Sequence, residues 1–212
     1  MPDRLHLCGC GTVADAELER ALRSAVAGDS AGFAQLFRSL QPPVVRYLRV
    51  MCGDAADDVA SDTWMQVVRD LPHFAGDAIS FRVWIFRIAR HRALSYRRRI
   101  ARRREFPVEI DDERIDHGVR DTALDVIESS ATGWALGLIA SLPPVEAEAV
   151  MLRVVAGLDV GQTAEVLDKH RGAVRIATMR GLRRLSGHPE VQARRGVRPA
   201  GFIGPVAQPE GV

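Results

Sequence analysis

The sequence predicts an all-α protein made of two small helical domains. Apolar residues recur every three or four positions along most of the chain, as on the buried face of a helix, and no segment shows the convincing alternation of a strand. An acidic segment and a tail rich in Pro, Gly and Arg interrupt this pattern. We therefore expect a disordered leader at 1–14, one domain at 15–104, a flexible acidic linker at 105–130, a second domain at 131–187 and a flexible tail at 188–212.

Composition excludes several classes of protein. The 212 residues carry a net charge of only +2, so any strong basicity is local. No apolar run approaches the ~20 residues of a membrane span, and the N-terminus lacks the apolar core of a signal peptide. We expect a cytoplasmic protein without membrane insertion.

Catalytic chemistry is not predicted. The six histidines are scattered, and no Ser/His/Asp set or phosphate-binding loop is evident. The segment His6-x-Cys8-x-Cys10 has an unusual spacing for zinc and no evident fourth ligand, so a frayed leader is favoured over a metal site. We expect no enzyme activity, no cofactor and no metal.

Helices in the first domain follow from apolar spacing and from helix breakers. A helix over Asp15–Ala27 ends at Gly28, and the next one is expected to break at Pro42-Pro43. A third helix stops at Gly53, and a fourth begins at Asp54. The inward residues of the fourth helix are predicted to be Val59, Trp64, Val67, Val68 and Leu71.

The last helix of this domain is strongly basic. Phe81–Arg104 contains ten arginines and no acidic residue. Phe81, Trp84, Ile85 and Ile88 share one face, which favours burial over contact with DNA. The arginines favour a polyanionic partner, although a solvated basic face is the alternative.

Aspartates cluster at the start of the preceding helix. Asp57 and Asp58 lie in its first turn, where carboxylates stabilise the helix dipole. Asp58 and Asp62 also lie one turn apart. They predict a small acidic patch that a partner could bind.

The second domain contains a helix-turn-helix pattern at Leu158–Leu185. Two short helices flank a tight turn, with small Ala164 where the helices approach one another. In this arrangement the start of the second helix enters the major groove of DNA. A helical hairpin that only packs is the alternative. The residues expected to face inward are Val150, Met151, Val154 and Val155 before the motif, and Val174, Ala177 or Thr178, Leu182 and Leu185 in its second helix.

Three segments together resemble a bacterial sigma factor of the extracytoplasmic-function (ECF, group IV) type. They are ADDVASDTW (56–64), FRVWIFRIARHRALSYRRR (81–99) and the region Leu142–Leu185. The resemblance covers about residues 15–187. It implies a region 2 helical bundle and a region 4 helix-turn-helix, acting as a transcription initiation factor that directs core RNA polymerase to promoters. Ser61, His91 and Ser95 depart from the Gln, Asn and Asp that are frequent in the family.

The resemblance also implies residue roles and partners. Region 2 would bind core RNA polymerase and melt the −10 element of promoter DNA, the loop Phe74–Ser80 with the adjoining His91 would hold an unstacked base, and region 4 would read the −35 element. An anti-sigma factor is expected as a further partner. The implied core-polymerase-binding residues are Asp57, Asp58, Ser61 and Asp62; those for the −10 element are Phe74, Gly76, Asp77, Arg87, Arg90, His91, Arg97 and Arg98; those for the −35 element are His170, Arg171, Ala173, Arg175, Thr178 and Arg180.

Two other functions remain open from the residues alone. A stand-alone helix-turn-helix regulator would use residues 15–104 for dimerisation or sensing, and would bind a duplex operator without polymerase. A general nucleic-acid packing protein is disfavoured by the net charge of +2.

Overall fold

Every regular element is helical in the computed structural model, which describes residues 11–105 and 130–196. This confirms the predicted all-α class. The first domain contains α1 (Gly11–Val26), α2 (Ser30–Cys52), α3 (Ala56–Asp70) and α4 (Ala78–Glu105), with 3₁₀ turns at Gly53–Ala55 and Leu71–His73. The second contains α5 (Ser130–Ala140), α6 (Pro144–Val150), α7 (Val160–Leu167), α8 (Arg171–Ser186) and α9 (Pro189–Gly196), with a π-helical turn at Met151–Val155.

A tight turn joins α1 to α2. Gly28 has a φ of 91°, which favours glycine, and it ends α1. The Asp29 carboxylate then caps α2 by accepting hydrogen bonds from Ala31 N (3.0 Å) and Gly32 N (3.2 Å). Gly32 lies against α1, where an added Cβ would come within 2.6 Å of Ser24 Cβ. The missing side chain therefore lets the two helices approach closely.

The predicted break at Pro42-Pro43 is wrong. Both prolines lie inside α2, which continues to Cys52. A proline removes one helical hydrogen bond and crowds the preceding turn. Here the helix is held on both sides of the prolines by a buried stripe at four-residue spacing: Leu36, Leu40, Val44 and Leu48.

The two domains share one hydrophobic core. Helix α2 packs against α5, α6 and the π-helical turn, and α4 packs against α7. The largest fully buried side chains include Tyr47, Phe81 and Phe86 from the first domain and Leu152 and Leu158 from the second. The domains are thus distinct in sequence but in contact in the structure.

Three predicted core residues are exposed instead: Val68 (53%), Val154 (61%) and Leu182 (46%). In α8 the buried position is Gly181, not Leu182. A Cβ at Gly181 would lie 2.8 Å from Val150 Cγ2, so α8 crosses α6 at the glycine. This close crossing turns Leu182 outward.

Helices extend into the segment predicted to be a disordered leader and into the segment predicted to be a flexible tail. Helix α1 begins at Gly11, within the predicted leader, and α9 lies within the predicted tail. The Trp134 indole donates to the Glu190 carboxylate (2.6 Å), and the Arg194 guanidinium lies 3.8 Å from the centre of the Trp134 ring. These contacts anchor α9 on α5. Residues 1–10, with His6, Cys8 and Cys10, most of the acidic linker (106–129) and residues 197–212 lie outside the described residues.

None of the helices in 11–105 and 130–196 has the length and apolar character needed to cross a membrane. Within the same ranges, no three His, Cys, Asp or Glu side chains are grouped so that they could hold a metal ion.

The α1–α2 crossing predicts that a glycine substitution there destabilises the protein, whereas one at an open helix position does not. Gly32→Ala should lower the free energy of unfolding by about 1–3 kcal/mol, because the new methyl group meets backbone atoms of α1. Gly137→Ala in α5 is the matched control, since its Cβ would meet nothing within 4 Å. It should be neutral or stabilise by about 0.5–1 kcal/mol. Urea unfolding followed by circular dichroism measures both, and equal effects would contradict the close crossing.

Candidate polymerase and DNA interfaces

The four candidate polymerase-binding residues form one exposed face of α3. Asp57, Asp58, Ser61 and Asp62 are all solvent-exposed, and their spacing of one turn places them side by side. The Ser61 hydroxyl donates to the Asp57 carbonyl oxygen (3.0 Å). The opposite face is buried through Val59, Ala60 and Trp64, among others, and fixes which way the carboxylates point.

Sequence reasoning missed the apolar part of this face. Met65 is 73% exposed and lies one turn beyond Ser61 and Asp62, and Val68 continues the same side of α3. A single exposed apolar side chain is common on protein surfaces, but Met65 and Val68 together place an apolar area beside the acidic patch. Met65 lies off the buried stripe 60–64–67, and this spacing is the feature of the sequence that could have predicted its exposure.

The loop before α4 is built on an aromatic cluster. The Phe74 ring lies 5.3 Å from Phe81 and 5.0 Å from Trp84, measured between ring centres. Gly76 lies against that ring, and an added Cβ there would be 3.0 Å from Phe74 Cζ. Asp77 accepts a hydrogen bond from Ser80 N (2.7 Å), and this bond lowers the pKa of the Asp77 carboxyl. Asp77 therefore caps α4 in the structure.

The arginine-rich face of α4 runs away from this loop. Arg87, His91 and Arg98 are exposed and follow one line along the helix, with Arg97 beside them. His91 lies about 20 Å along the helix axis from Ala78, given a rise of ~1.5 Å per residue. Trp84, on which the Phe74 ring packs, lies two turns of α4, about 10 Å, before His91.

Two candidate DNA-binding arginines are engaged by the second domain. Arg90 Nε lies 2.8 Å from a Glu148 carboxylate oxygen, and the side chains are only 22% and 8% exposed. Arg87 lies 3.2 Å from Glu165, and here both side chains are more than half exposed. In this arrangement neither arginine is free for a nucleic acid.

The helix-turn-helix is formed as predicted by α7 and α8. Asp159 starts α7 through a capping box with Gln162, each side chain accepting from the other's backbone N–H. Asp168 ends α7 with a φ of 53°, and Lys169 N donates to the Ala164 carbonyl oxygen (3.0 Å). His170 then takes the extended conformation that starts α8. These bonds fix the angle at which α8 is presented.

Most candidate −35 residues lie on the outer face of α8. His170, Arg171, Ala173, Arg175 and Arg180 are exposed, and Arg171, Arg175 and Arg153 line one cleft. Thr178 is different, because its hydroxyl is buried and has no hydrogen-bond partner. The structure therefore does not present Thr178 to a groove.

Exposed Ile176 and Met179 were missed on this helix. The buried set Val174, Ala177 and Gly181 leaves these two positions on the outer face. An apolar side chain on a groove-facing helix can contact the methyl group of thymine.

Comparison with known proteins identifies the family. The profile of "Sigma-70 region 2" matches residues 36–104, and that of "Sigma-70, region 4" matches residues 133–185. "ECF RNA polymerase sigma factor SigD" of Mycobacterium tuberculosis is 32% identical over 82% of this chain and 84% of its own length. The chain belongs to the ECF sigma factors. "ECF RNA polymerase sigma factor ShbA" of Streptomyces griseus is similar too, at 31% identity over 76% of this sigma factor and 89% of ShbA.

Solved structures share the fold of this sigma factor. CnrH, in complex with the cytosolic domain of CnrY, superimposes with a TM-score of 0.55 and 21% identity, over 80% of this chain and 95% of CnrH. RpoE from Bartonella quintana, in complex with the anti-sigma factor NepR, superimposes with a TM-score of 0.54 and 20% identity, over 76% of this chain and 96% of RpoE. Sigma factors are initiation factors that direct RNA polymerase to promoters, and they are not enzymes.

Proposed function

We propose that this ECF sigma factor acts in the cytoplasm and contacts its partners through three separate surfaces. The face Asp57–Asp62 of α3 binds core RNA polymerase, the loop Phe74–Ser80 with α4 binds the −10 element, and α8 binds the −35 element. The observation that carries this division is the separation of charge: the carboxylates of α3 and the arginines of α4 and α8 lie on different exposed faces. A protein partner and DNA can then bind at the same time.

The polymerase surface combines charge with an apolar contact. Asp58 and Asp62 steer the chain towards a basic surface of the polymerase, and Met65 packs against it once they meet. Exposed charges mainly set the association rate and the choice of partner, whereas buried apolar area sustains the complex. Met65 thus belongs with the four predicted residues.

The −10 surface has two parts with different tasks. The aromatic cluster behind Phe74 supports a rigid loop that receives one unstacked base. Arg97, Arg98 and His91 follow the single strand along α4 by phosphate contacts. Arg87 and Arg90 join them when they are released from Glu165 and Glu148.

The −35 surface is the first half of α8. Arg171 and Arg175 are placed to bind guanine edges or phosphates, and Ala173 and Ile176 to pack on the floor of the groove. Thr178 is left out of this surface, because its hydroxyl faces the interior.

An anti-sigma factor is the third proposed partner, after core polymerase and promoter DNA. RpoE from Bartonella quintana, which shares this fold, was solved with the anti-sigma factor NepR. A protein that covers both DNA-binding surfaces of this chain would keep it from promoters.

Promoter binding separates this function from that of a stand-alone regulator. In a gel-shift assay, the chain alone should bind duplex promoter weakly, and core polymerase with the chain should give a stable complex and a transcript with a defined start. The reason is that the −10 surface receives unpaired bases, which only polymerase-assisted melting supplies. Tight binding of duplex DNA by the chain alone, unchanged by polymerase, would favour the stand-alone regulator.

Charge reversal tests the α3 surface. Asp58→Lys with Asp62→Lys should weaken binding to core polymerase by about tenfold or more, because like charges then face each other across the interface. The control is Glu17→Lys with Gln35→Lys and Ser39→Lys, which changes the net charge equally at exposed positions of α1 and α2. Fluorescence anisotropy of labelled chain titrated with core polymerase gives the affinity, and circular dichroism confirms folding. Full retention by the α3 variant would defeat the assignment.

A further inference from the structure

Two carboxylates of α1 hold the start of α4. Glu19 Oε2 accepts a hydrogen bond from Ala78 N at 2.6 Å, and Asp15 Oδ1 pairs with Arg82 at 2.9 Å. Asp15 and Glu19 are four residues apart on α1, and their partners are four residues apart on α4. One turn of α1 therefore lies against one turn of α4. Glu19 also lies 3.6 Å from Arg23 on its own helix.

This contact lies directly behind the −10 loop. Ala78 is the first residue of α4, and Asp77, Gly76 and Phe74 precede it. The first N–H groups of a helix lack intrahelical partners, and a carboxylate that binds one of them makes a strong, charge-assisted bond. Asp77 holds Ser80 N from within the loop, whereas Glu19 holds Ala78 N from a separate helix.

Helix α1 is itself rigidly placed. Leu18 and Leu22 are buried, and Gly32 allows close contact with α2. The region 2 profile begins at residue 36, so Asp15 and Glu19 lie outside the part of the chain that it matches.

We propose that Glu19 is a positioning residue for −10 recognition, which fixes the loop Phe74–Ser80 by binding Ala78 N. Asp15 assists by holding Arg82 one turn further along α4. The proposal rests on the assignment of this loop to the −10 element. Glu19 itself touches no DNA; it sets where the loop presents its base-binding residues.

The test compares Glu19→Ala, Glu19→Gln and the exposed control Glu17→Ala on the same helix. Transcription by core polymerase is measured on promoters with single substitutions in the −10 element. Glu19→Ala should reduce the preference for the favoured base by about tenfold, the scale of one lost base contact. Glu19→Gln should keep the preference, because its amide oxygen can accept the same hydrogen bond. Hydrogen exchange at Ala78 N should accelerate in Glu19→Ala only.

Gly76→Ala tests the loop assignment without changing Glu19. Its methyl group would meet Phe74 at 3.0 Å and would therefore disturb the loop directly. If Gly76→Ala changes the −10 preference and Glu19→Ala does not, positioning by Glu19 is refuted. A preference unchanged in both refutes the loop assignment and this proposal with it. Equal losses in Glu19→Ala and Glu19→Gln, or any loss in Glu17→Ala, also refute it. A merely structural role would lower transcription from all promoters alike.

A second inference comes from the contact between the domains. Its two ion pairs, Arg87–Glu165 and Arg90–Glu148, both join α4 of region 2 to region 4. Arg87 and Glu165 are more than half exposed, whereas Arg90 and Glu148 are only 22% and 8% exposed. All four charged groups would regain water when the domains separate, which lowers the cost of opening this contact relative to a purely apolar interface.

The contact covers some functional surfaces and leaves others open. Region 4 reaches region 2 through α2 and α4, while the candidate polymerase-binding face of α3 stays exposed. The outer face of α8 is also exposed. The packed arrangement therefore blocks two −10 arginines but leaves the polymerase surface accessible.

We infer that this arrangement is a closed state, in which Glu148 and Glu165 occupy Arg87 and Arg90 until polymerase binding separates the domains. Its effect on DNA rests on the proposed −10 role of these arginines, but the closed state itself does not.

Spin labels at Ala16 and Met179, exposed residues of α1 and α8, report the distance between domains in the full chain with its native cysteines replaced by serine. The labelled protein without further substitutions should give one narrow distance distribution. Glu165→Arg should broaden and lengthen it, and Arg87→Glu with Glu165→Arg should restore it, because the exposed pair is re-formed with charges exchanged. Glu17→Arg is the control for the charge change.

Binding of a labelled single-stranded −10 oligonucleotide gives the second readout. Glu165→Arg should bind it about fivefold more tightly than the control, on the scale of one exposed ion pair. A broad distance in the starting protein, or no recovery in the exchanged pair, refutes the closed state. A recovered distance without any change in oligonucleotide affinity refutes the block on DNA alone.

Discussion

The burial of one face of α4 is the constraint on which the other features of this sigma factor depend. Phe81, Ile85, Phe86 and Ala89 are fully buried, so the helix cannot rotate without exposing a large apolar area. The direction of every arginine on α4 follows from that fixed rotation. The same packing sets the position of the aromatic cluster under the loop Phe74–Ser80 and of the side chains that meet region 4.

The sequence predicted much of this arrangement because its determinants are local. The helix periodicity, the capping residues Asp29 and Asp159, and the helix-turn-helix spacing all act over a few residues. Errors arose where tertiary contacts decide the outcome. The continuity of α2 through Pro42-Pro43 depends on burial on both sides, and the exposure of Leu182 depends on the close crossing at Gly181.

The candidate sites were predicted less completely than the fold. Exposed carboxylates on α3 follow from spacing, but the exposure of Met65 depends on which face the bundle buries. The hydrogen bond from Ala78 N to Glu19 and the pair Arg90–Glu148 join residues that are 59 and 58 positions apart. Nothing in a single sequence pairs such residues, and so these long-range contacts could not be foreseen.

A structure of this chain with core polymerase and an open promoter, determined by electron cryomicroscopy, tests the account most directly. We expect that Phe81 and Ile85 stay buried while Arg87, His91 and Arg98 face the unpaired −10 strand, with Arg90 separated from Glu148. An α4 that faces away from the strand, or that has rotated to expose its apolar face, would contradict it.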